Sequence, residues 1–160
     1  MKKIGLLCSA GEMAKIMANK CIDKGVSLTT VKLQKLLIIA HGALLSAYGR
    51  PLFYEEVILM KHGVGIKEVD RAFRYEIKYD EKFEEYISLL DCQHVAMDAV
   101  IERYGKSDSF ELSSLKSMKR VERFLKDGDF GTAITNGAIA SAFEDNIVTW
   151  KLKYLKELDR

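Results

Sequence analysis

The sequence predicts a mainly α-helical fold: a compact multi-helix domain with at most a short β-hairpin or extended segment near residues 52–62. Only one proline, Pro51, occurs in 160 residues, and proline is the residue that most strongly interrupts helices. Apolar residues recur at three- and four-residue steps along most of the chain, which is typical of helices with one buried face. A chain of this length can bury a core without disulfides or a metal. We therefore predict one domain over residues 1–160, with its core at residues 10–145 and a C-terminal helix at 146–158.

Three helix starts carry capping signals. Ser9 and Asp108 are each followed three residues later by a glutamate, Glu12 and Glu111, which is the spacing of a capping box. Asn146 precedes the last apolar segment and is a residue type that commonly caps helices. We expect a helix to begin directly after each of these three positions.

The second predicted helix is the most regular. Its cap is either Ser27 or Thr29, and residues 49–51, Gly-Arg-Pro, end it. Gly42 in its interior costs about 1 kcal/mol relative to alanine, so we expect close approach by another helix or by a partner at this point. Six apolar residues form its stripe at helical spacing: Leu33, Leu36, Leu37, Ala40, Leu44 and Ala47.

The middle of the chain is less regular. Residues 52–60 are apolar and β-branched enough for a short extended piece, and Gly63 and Gly65 then indicate a turn. A short helix is expected over residues 66–75. Residues 80–104 keep helical periodicity and form either one long helix or two, because Ser88 and Asp91 could restart the helix midway.

Composition limits the compartment and the partners. The formal net charge is only +2, so no global field would draw the chain to nucleic acid or to an anionic membrane. The three cysteines, Cys8, Cys21 and Cys92, include no closely spaced pair, which favours a reducing, cytoplasmic location. The apolar stretch within residues 1–10 is too short for a signal sequence or a membrane span.

No residue pattern indicates catalysis, a cofactor or a metal. Cys92 and His94 are two apart in a helical stretch and would point to different faces, while His41 and His62 lack a recognised ligand spacing. The glycines around Val64 are not followed by the Lys-Ser/Thr pair of a phosphate loop. The sequence therefore predicts a protein that is not an enzyme.

Two basic clusters leave alternatives open. Lys32 and Lys35 flank a glutamine on the second helix, and five lysines and arginines lie between Lys116 and Lys126 at helical steps. One interpretation is a solvated helix face. The other is a landing surface for an acidic protein or for RNA, in which each basic residue adds salt-sensitive attraction.

Several segments resemble the Panacea domain, the SocA-like antitoxin family. The strongest are residues 28–37, Leu-Thr-Thr-Val-Lys-Leu-Gln-Lys-Leu-Leu, with Ala-His-Gly at 40–42 and Tyr-Gly-Arg-Pro-Leu-Phe at 48–53. Residues 61–69 are similar to that family's Trp-x-Tyr-Gly-Pro-Val segment and the short helix after it, and the resemblance extends over residues 10–145. Four positions depart from the family pattern, with His41 in place of Gln, Met60 in place of Trp, His62 in place of Tyr and Val64 in place of Pro.

The resemblance implies a helical module of bacterial or phage proteins that neutralises a partner toxin by direct binding or by delivering it to a protease. We expect the second helix and residues 51–69 to present the binding surface, with Phe53 serving either as an anchor or as a core residue. A phage or mobile-element protein that binds a host factor, and an RNA-contacting regulator using residues 116–126, are the alternatives. The candidate partner-binding residues are Lys32, Lys35, His41, Arg50, Phe53, Tyr54, His62 and Arg71.

Overall fold

The computed structural model describes residues 3–4, 8–61, 63–73 and 81–159. Within these ranges the chain forms eight helices: α1 (Ala10–Asp23), α2 (Thr30–Tyr48), α3 (Lys67–Ala72), α4 (Asp91–Tyr104), α5 (Ser109–Ser113), α6 (Lys116–Leu125), α7 (Asn136–Ala142) and α8 (Ile147–Leu158). It also forms five short strands: β1 (Lys3–Ile4), β2 (Val57–Met60), β3 (Gly63–Gly65), β4 (Ile87–Ser88) and β5 (Ala133–Ile134). The mainly α-helical prediction is confirmed. Among the helices described, none is long and apolar enough to cross a membrane.

Helix α2 lies at the centre of the fold. Helices α1, α3, α4, α5, α7 and α8 and strand β3 all pack against it. A helix on a protein surface buries one apolar stripe, but 15 of the 19 residues of α2 are buried, so it is enclosed on every side. The predicted stripe is therefore only part of the buried surface of this helix.

The predicted helix ends are largely confirmed. Thr29, rather than Ser27, caps α2, and its side chain accepts a hydrogen bond from the backbone N–H three residues on, at 3.1 Å. Gly49 ends α2 in the left-handed conformation, at a φ of 67°. Ser9, Asp108 and Asn146 each accept a backbone N–H at the start of α1, α5 and α8.

The strands form two small sheets. Strands β3, β2 and β5 pair in that order and antiparallel, with Leu59 opposite Val64. Strands β1 and β4 form a parallel pair. The extended segment predicted at residues 52–60 is confirmed in its second half as β2. The turn predicted at Gly63 and Gly65 is wrong, because both glycines lie in β3 and pair with β2.

The helix prediction for residues 80–104 is wrong in its first half. Residues 81–90 contain only β4, and the single helix α4 begins at Asp91. Asn19 of α1 explains the difference, since its amide accepts from Phe83 N–H and donates to Phe83 C=O, both at 2.8 Å. These two bonds satisfy the N–H and C=O groups of Phe83 in an extended conformation, so these groups do not need partners within a helix. The predicted helix at residues 66–75 is realised as α3, and residues 74–80 lie outside the described chain.

Gly42 marks the closest approach of two elements in the core. A Cβ atom at this position would lie 2.3 Å from a ring carbon of Phe143, the residue that follows α7. Phe143 is fully buried and its ring occupies the space that any larger residue would need. Of the two explanations for this glycine, the close packing of another element is the correct one.

Replacement of Gly42 by alanine should therefore destabilise the fold by about 1–3 kcal/mol, because the overlap forces the Phe143 ring or α7 to move. Gly137→Ala in α7 is the matched control: nothing lies within 4 Å of its Cβ position, so alanine's helix propensity should stabilise the fold by several tenths of a kcal/mol. Urea unfolding of the two variants measures both effects. Equal stability of the two variants would contradict this explanation of Gly42.

Candidate protein-binding groove

Four of the predicted partner-binding residues lie inside the molecule. Lys32, Lys35, His41 and Phe53 have exposed fractions of 8%, 2%, 0% and 1%. The expectation that α2 presents a binding surface is therefore wrong, because neighbouring elements cover this helix on all sides. In this conformation the four side chains belong to the interior of the fold.

Lys32 closes the end of another helix. Its Nζ donates a hydrogen bond to the backbone C=O of Gly105, at 2.6 Å, in a buried position just after α4. The last carbonyls of a helix lack partners within the helix and carry the negative end of its dipole. The lysine donates to one of these carbonyls, and its positive charge interacts favourably with the negative end of the α4 dipole.

The buried charge of Lys35 is less well compensated than that of Lys32. Among the described residues its Nζ finds no hydrogen-bond partner, although it lies beside Gly63 of β3. Burial lowers the pKa of this amine, and the nearby Glu122 carboxylate offsets that effect only in part. Lys35 is thus a buried cation beneath the β2–β3 hairpin whose charge costs stability.

His41 and Phe53 attach the segment after Pro51 to α2. The Nδ1 of His41 accepts a hydrogen bond from the backbone N–H of Leu52 at 3.0 Å, and the Phe53 ring stacks on the imidazole with centroids 4.0 Å apart. Burial lowers the pKa of His41 to about 4, an effect that the Asn136 side chain partly offsets, so the ring is neutral at pH 7. Of the two roles left open for Phe53, the core role is confirmed.

The other four candidates differ in accessibility. Tyr54 is 61% exposed and Arg71 is exposed on α3, while Arg50 is half-buried. His62 lies outside the described residues. Tyr54 and Arg71 are therefore the two candidates that a partner can reach most directly.

Arg71 lies on an open groove between β2, α3 and the loop before β5. The groove has a volume of about 420 Å³. Its floor is apolar and its rim carries three exposed cations, Lys61, Lys67 and Arg71. The full lining consists of Ile58, Leu59, Met60, Lys61, Lys67, Asp70, Arg71, Phe130 and Gly131.

Gln34 of α2 holds the back wall of this groove in place. Its Oε1 accepts a hydrogen bond from the backbone N–H of Ile66 at 2.8 Å, and its Nε2 donates to Asp70 at 3.1 Å. A side chain at Gly65 would collide with both Gln34 and Met60, at 2.6 and 2.5 Å. One buried amide thus fixes the positions of β3 and α3 relative to α2.

Eight of the nine groove residues, all except Arg71, were not among the sequence-based candidates. Lys61 and Lys67 lie within residues 51–69, the segment expected to present the binding surface, whereas Phe130 is distant in the chain and only folding brings it to them. Phe130 did carry a signal: it is a large aromatic residue inside the polar Gly/Asp turn of residues 127–131, and it is 67% exposed. A large aromatic residue surrounded by polar turn residues is expected to stay at the surface, where a partner can contact it.

The basic cluster at residues 116–126 is partly neutralised on α6. Both terminal guanidinium nitrogens of Arg120, Nη1 and Nη2, donate to the Asp145 carboxylate, and Lys116 Nζ lies 3.9 Å from it. The Arg120 guanidinium holds the pKa of Asp145 below its usual range. Lys119, Arg123 and Lys126 remain exposed, so Asp145 offsets only part of this positive surface.

The described residues contain no group of three His, Cys, Asp or Glu side chains that could hold a metal. Cys8 and Cys21 are buried and Cys92 is half-buried, all as free thiols. Burial raises the pKa of Cys21 to about 11, which keeps it protonated at neutral pH.

Comparison of the chain with models of protein families, with functionally characterised proteins and with solved structures finds no match. The resemblance to the Panacea domain therefore stays a prediction from the segments quoted above. The apolar and cationic side chains that line the groove are therefore the structural basis for proposing a partner.

The two buried lysines of α2 should respond differently to substitution. Lys32→Met leaves the buried Gly105 carbonyl without its partner and should cost about 2 kcal/mol of unfolding free energy. Lys35→Met removes a buried charge that makes no hydrogen bond among the described residues, so its stability should be unchanged or higher. Urea unfolding at pH 7 measures both variants, and a larger loss for Lys35→Met than for Lys32→Met would contradict these assignments.

Proposed function

We propose that the chain is a cytoplasmic, antitoxin-like protein-binding module that neutralises a partner toxin, by direct binding or by delivering it to a protease. The observation that carries the proposal is the open groove of about 420 Å³ with an apolar floor and a cationic rim. The sequence segments that resemble the Panacea domain point to a toxin as the partner.

The lining of the groove suits recognition of a protein. Met, Phe and Arg side chains are enriched at protein interfaces relative to other surfaces. Here Met60, Phe130 and Arg71 lie around one concave space. An apolar side chain of the partner could fill the floor, with Phe130 packing beside it. This arrangement of an anchor in a pocket is typical of the residues that dominate binding energy.

The rim defines the complementary chemistry. Lys61, Lys67 and Arg71 are all exposed, and Asp70, the acidic residue among the lining, is hydrogen-bonded to Gln34. Positive side chains around an apolar floor favour a segment with one or two apolar residues flanked by Asp or Glu. Rim charges of this kind accelerate association and make it sensitive to salt.

Charge reversal in the rim should abolish recovery of the partner. Tagged wild-type chain purified from its native cells after nuclease treatment should recover one stoichiometric protein, identified by mass spectrometry. Lys67→Glu/Arg71→Glu should reduce that recovery at least tenfold, because both changes place acidic groups against an acidic segment. The matched control, Lys24→Glu/Lys106→Glu, reverses two exposed lysines outside the groove and should retain the partner.

Neutralisation itself has a separate measurement. The recovered protein, expressed alone, should arrest growth, and co-expression of the wild-type chain but not of the groove variant should restore growth. Equal recovery by all three forms would place the interface elsewhere, and loss of every partner after nuclease treatment would favour the RNA-contacting alternative.

A further inference from the structure

Helix α8 carries an apolar stripe that faces solvent. Ile147, Trp150, Tyr154 and Leu158 are exposed to 48%, 63%, 65% and 61%. Their spacing of three, four and four residues places them on one face of the helix. The opposite face, which includes Leu152, is buried against α2 and α4. An apolar surface of this kind is a typical site of association.

A hole lies beside the N-terminal end of this α8 stripe. It has a volume of about 270 Å³, and α4 contributes Ala99, Glu102 and Arg103 to its wall. Ile147, Val148 and Lys151 of α8 complete the lining. Lys151 Nζ binds the Glu102 carboxylate at 2.9 Å and so braces the rim of the hole.

The charges that flank the stripe are self-complementary in one orientation. Lys153 and Glu157 lie on the side of α8 away from the hole, one turn apart. If a second α8 runs antiparallel about a twofold axis at Tyr154, Lys153 of each copy lies beside Glu157 of the other. The same operation brings Leu158 of each copy to the hole of the other. A parallel pairing would instead place Lys153 of each copy on the side where the other copy carries Lys151, so that positive charges meet.

We infer that this face binds a second copy of the chain, through an antiparallel α8–α8 contact centred on Tyr154. The contact is isologous, as a twofold dimer requires. Leu158 fills the hole between α4 and α8 of the second copy, Trp150 packs beside it, and two Lys153–Glu157 pairs set the register. The inference does not depend on the proposed toxin binding, because none of these residues lines the groove.

The size of the contact predicts a reversible dimer. The four side chains offer on the order of 400–500 Å² of apolar surface per copy, since a fully covered aromatic side chain buries roughly 150–250 Å², isoleucine and leucine bury less, and about half of each side chain is exposed. Stable interfaces bury about 800 Å² per partner, so this one belongs to the small, transient class. We expect a dissociation constant in the micromolar range.

Sedimentation velocity over a concentration series from about 1 µM to about 500 µM brackets that range. The wild-type chain should shift from monomer to dimer. Trp150 is the sole tryptophan of the chain, so its fluorescence emission should move to shorter wavelength over the same range as it leaves water. Leu158→Glu should raise the dissociation constant at least tenfold. The control Phe110→Glu, on α5 and 79% exposed, should leave it unchanged.

A charge-swap mixture tests the register. Lys153→Glu and Glu157→Lys should each weaken self-association at least threefold, because like charges meet across the contact. An equimolar mixture of the two variants should restore or exceed wild-type affinity, since every pair across the mixed contact is then of opposite sign. Circular dichroism checks that each variant is folded. A monomer at every concentration, a dimer unaffected by Leu158→Glu, or a mixture no tighter than its components would overturn the inference.

Discussion

Polar side chains of the buried helix α2 hold the backbone of segments that follow much later in the chain. Gln34 accepts the N–H of Ile66, and His41 accepts the N–H of Leu52. Lys32 donates to the C=O of Gly105. A buried polar group without a partner costs about 1–3 kcal/mol, so each bond favours one placement of its loop strongly over others. The apolar side chains of α2 supply most of the buried surface, and these polar contacts decide which segment lies where.

This constraint determines where function can be located. Because α2 is enclosed, Lys32 and His41 serve the fold, Lys35 is buried out of reach, and any partner has to approach the periphery. The groove is one such place, and its α3 wall is held by Gln34, whose amide also fixes the backbone just after β3. The exposed face of α8 is another, backed by contacts of α8 with α2 and α4. Both surfaces are thus presented on elements that the central helix positions.

Helix ends could be predicted from the sequence more reliably than the burial of individual side chains. Ser9, Thr29 and Gly49 act through contacts within a few residues, so their spacing alone identifies helix ends. The burial of Lys32 and Lys35 could not be predicted, because a lysine in a helix is ordinarily solvated and only elements later in the chain enclose these two. The extended conformation around Phe83 could not be predicted either. The apolar spacing of this segment resembles that of a helix, but the bonds from Asn19, which is distant in the chain, hold it extended.

The most direct test of the central role of α2 is native-state amide hydrogen exchange resolved by residue. If buried side chains of α2 hold the loops, the N–H groups of Leu52 and Ile66 should exchange with the same free energy as the core amides of α2, although neither residue belongs to a helix or a strand. Both should open only when the whole fold opens. Exchange of these two amides as fast as that of Phe130, in the exposed loop before β5, would contradict the central role of α2, because the loops would then open without disturbing this helix.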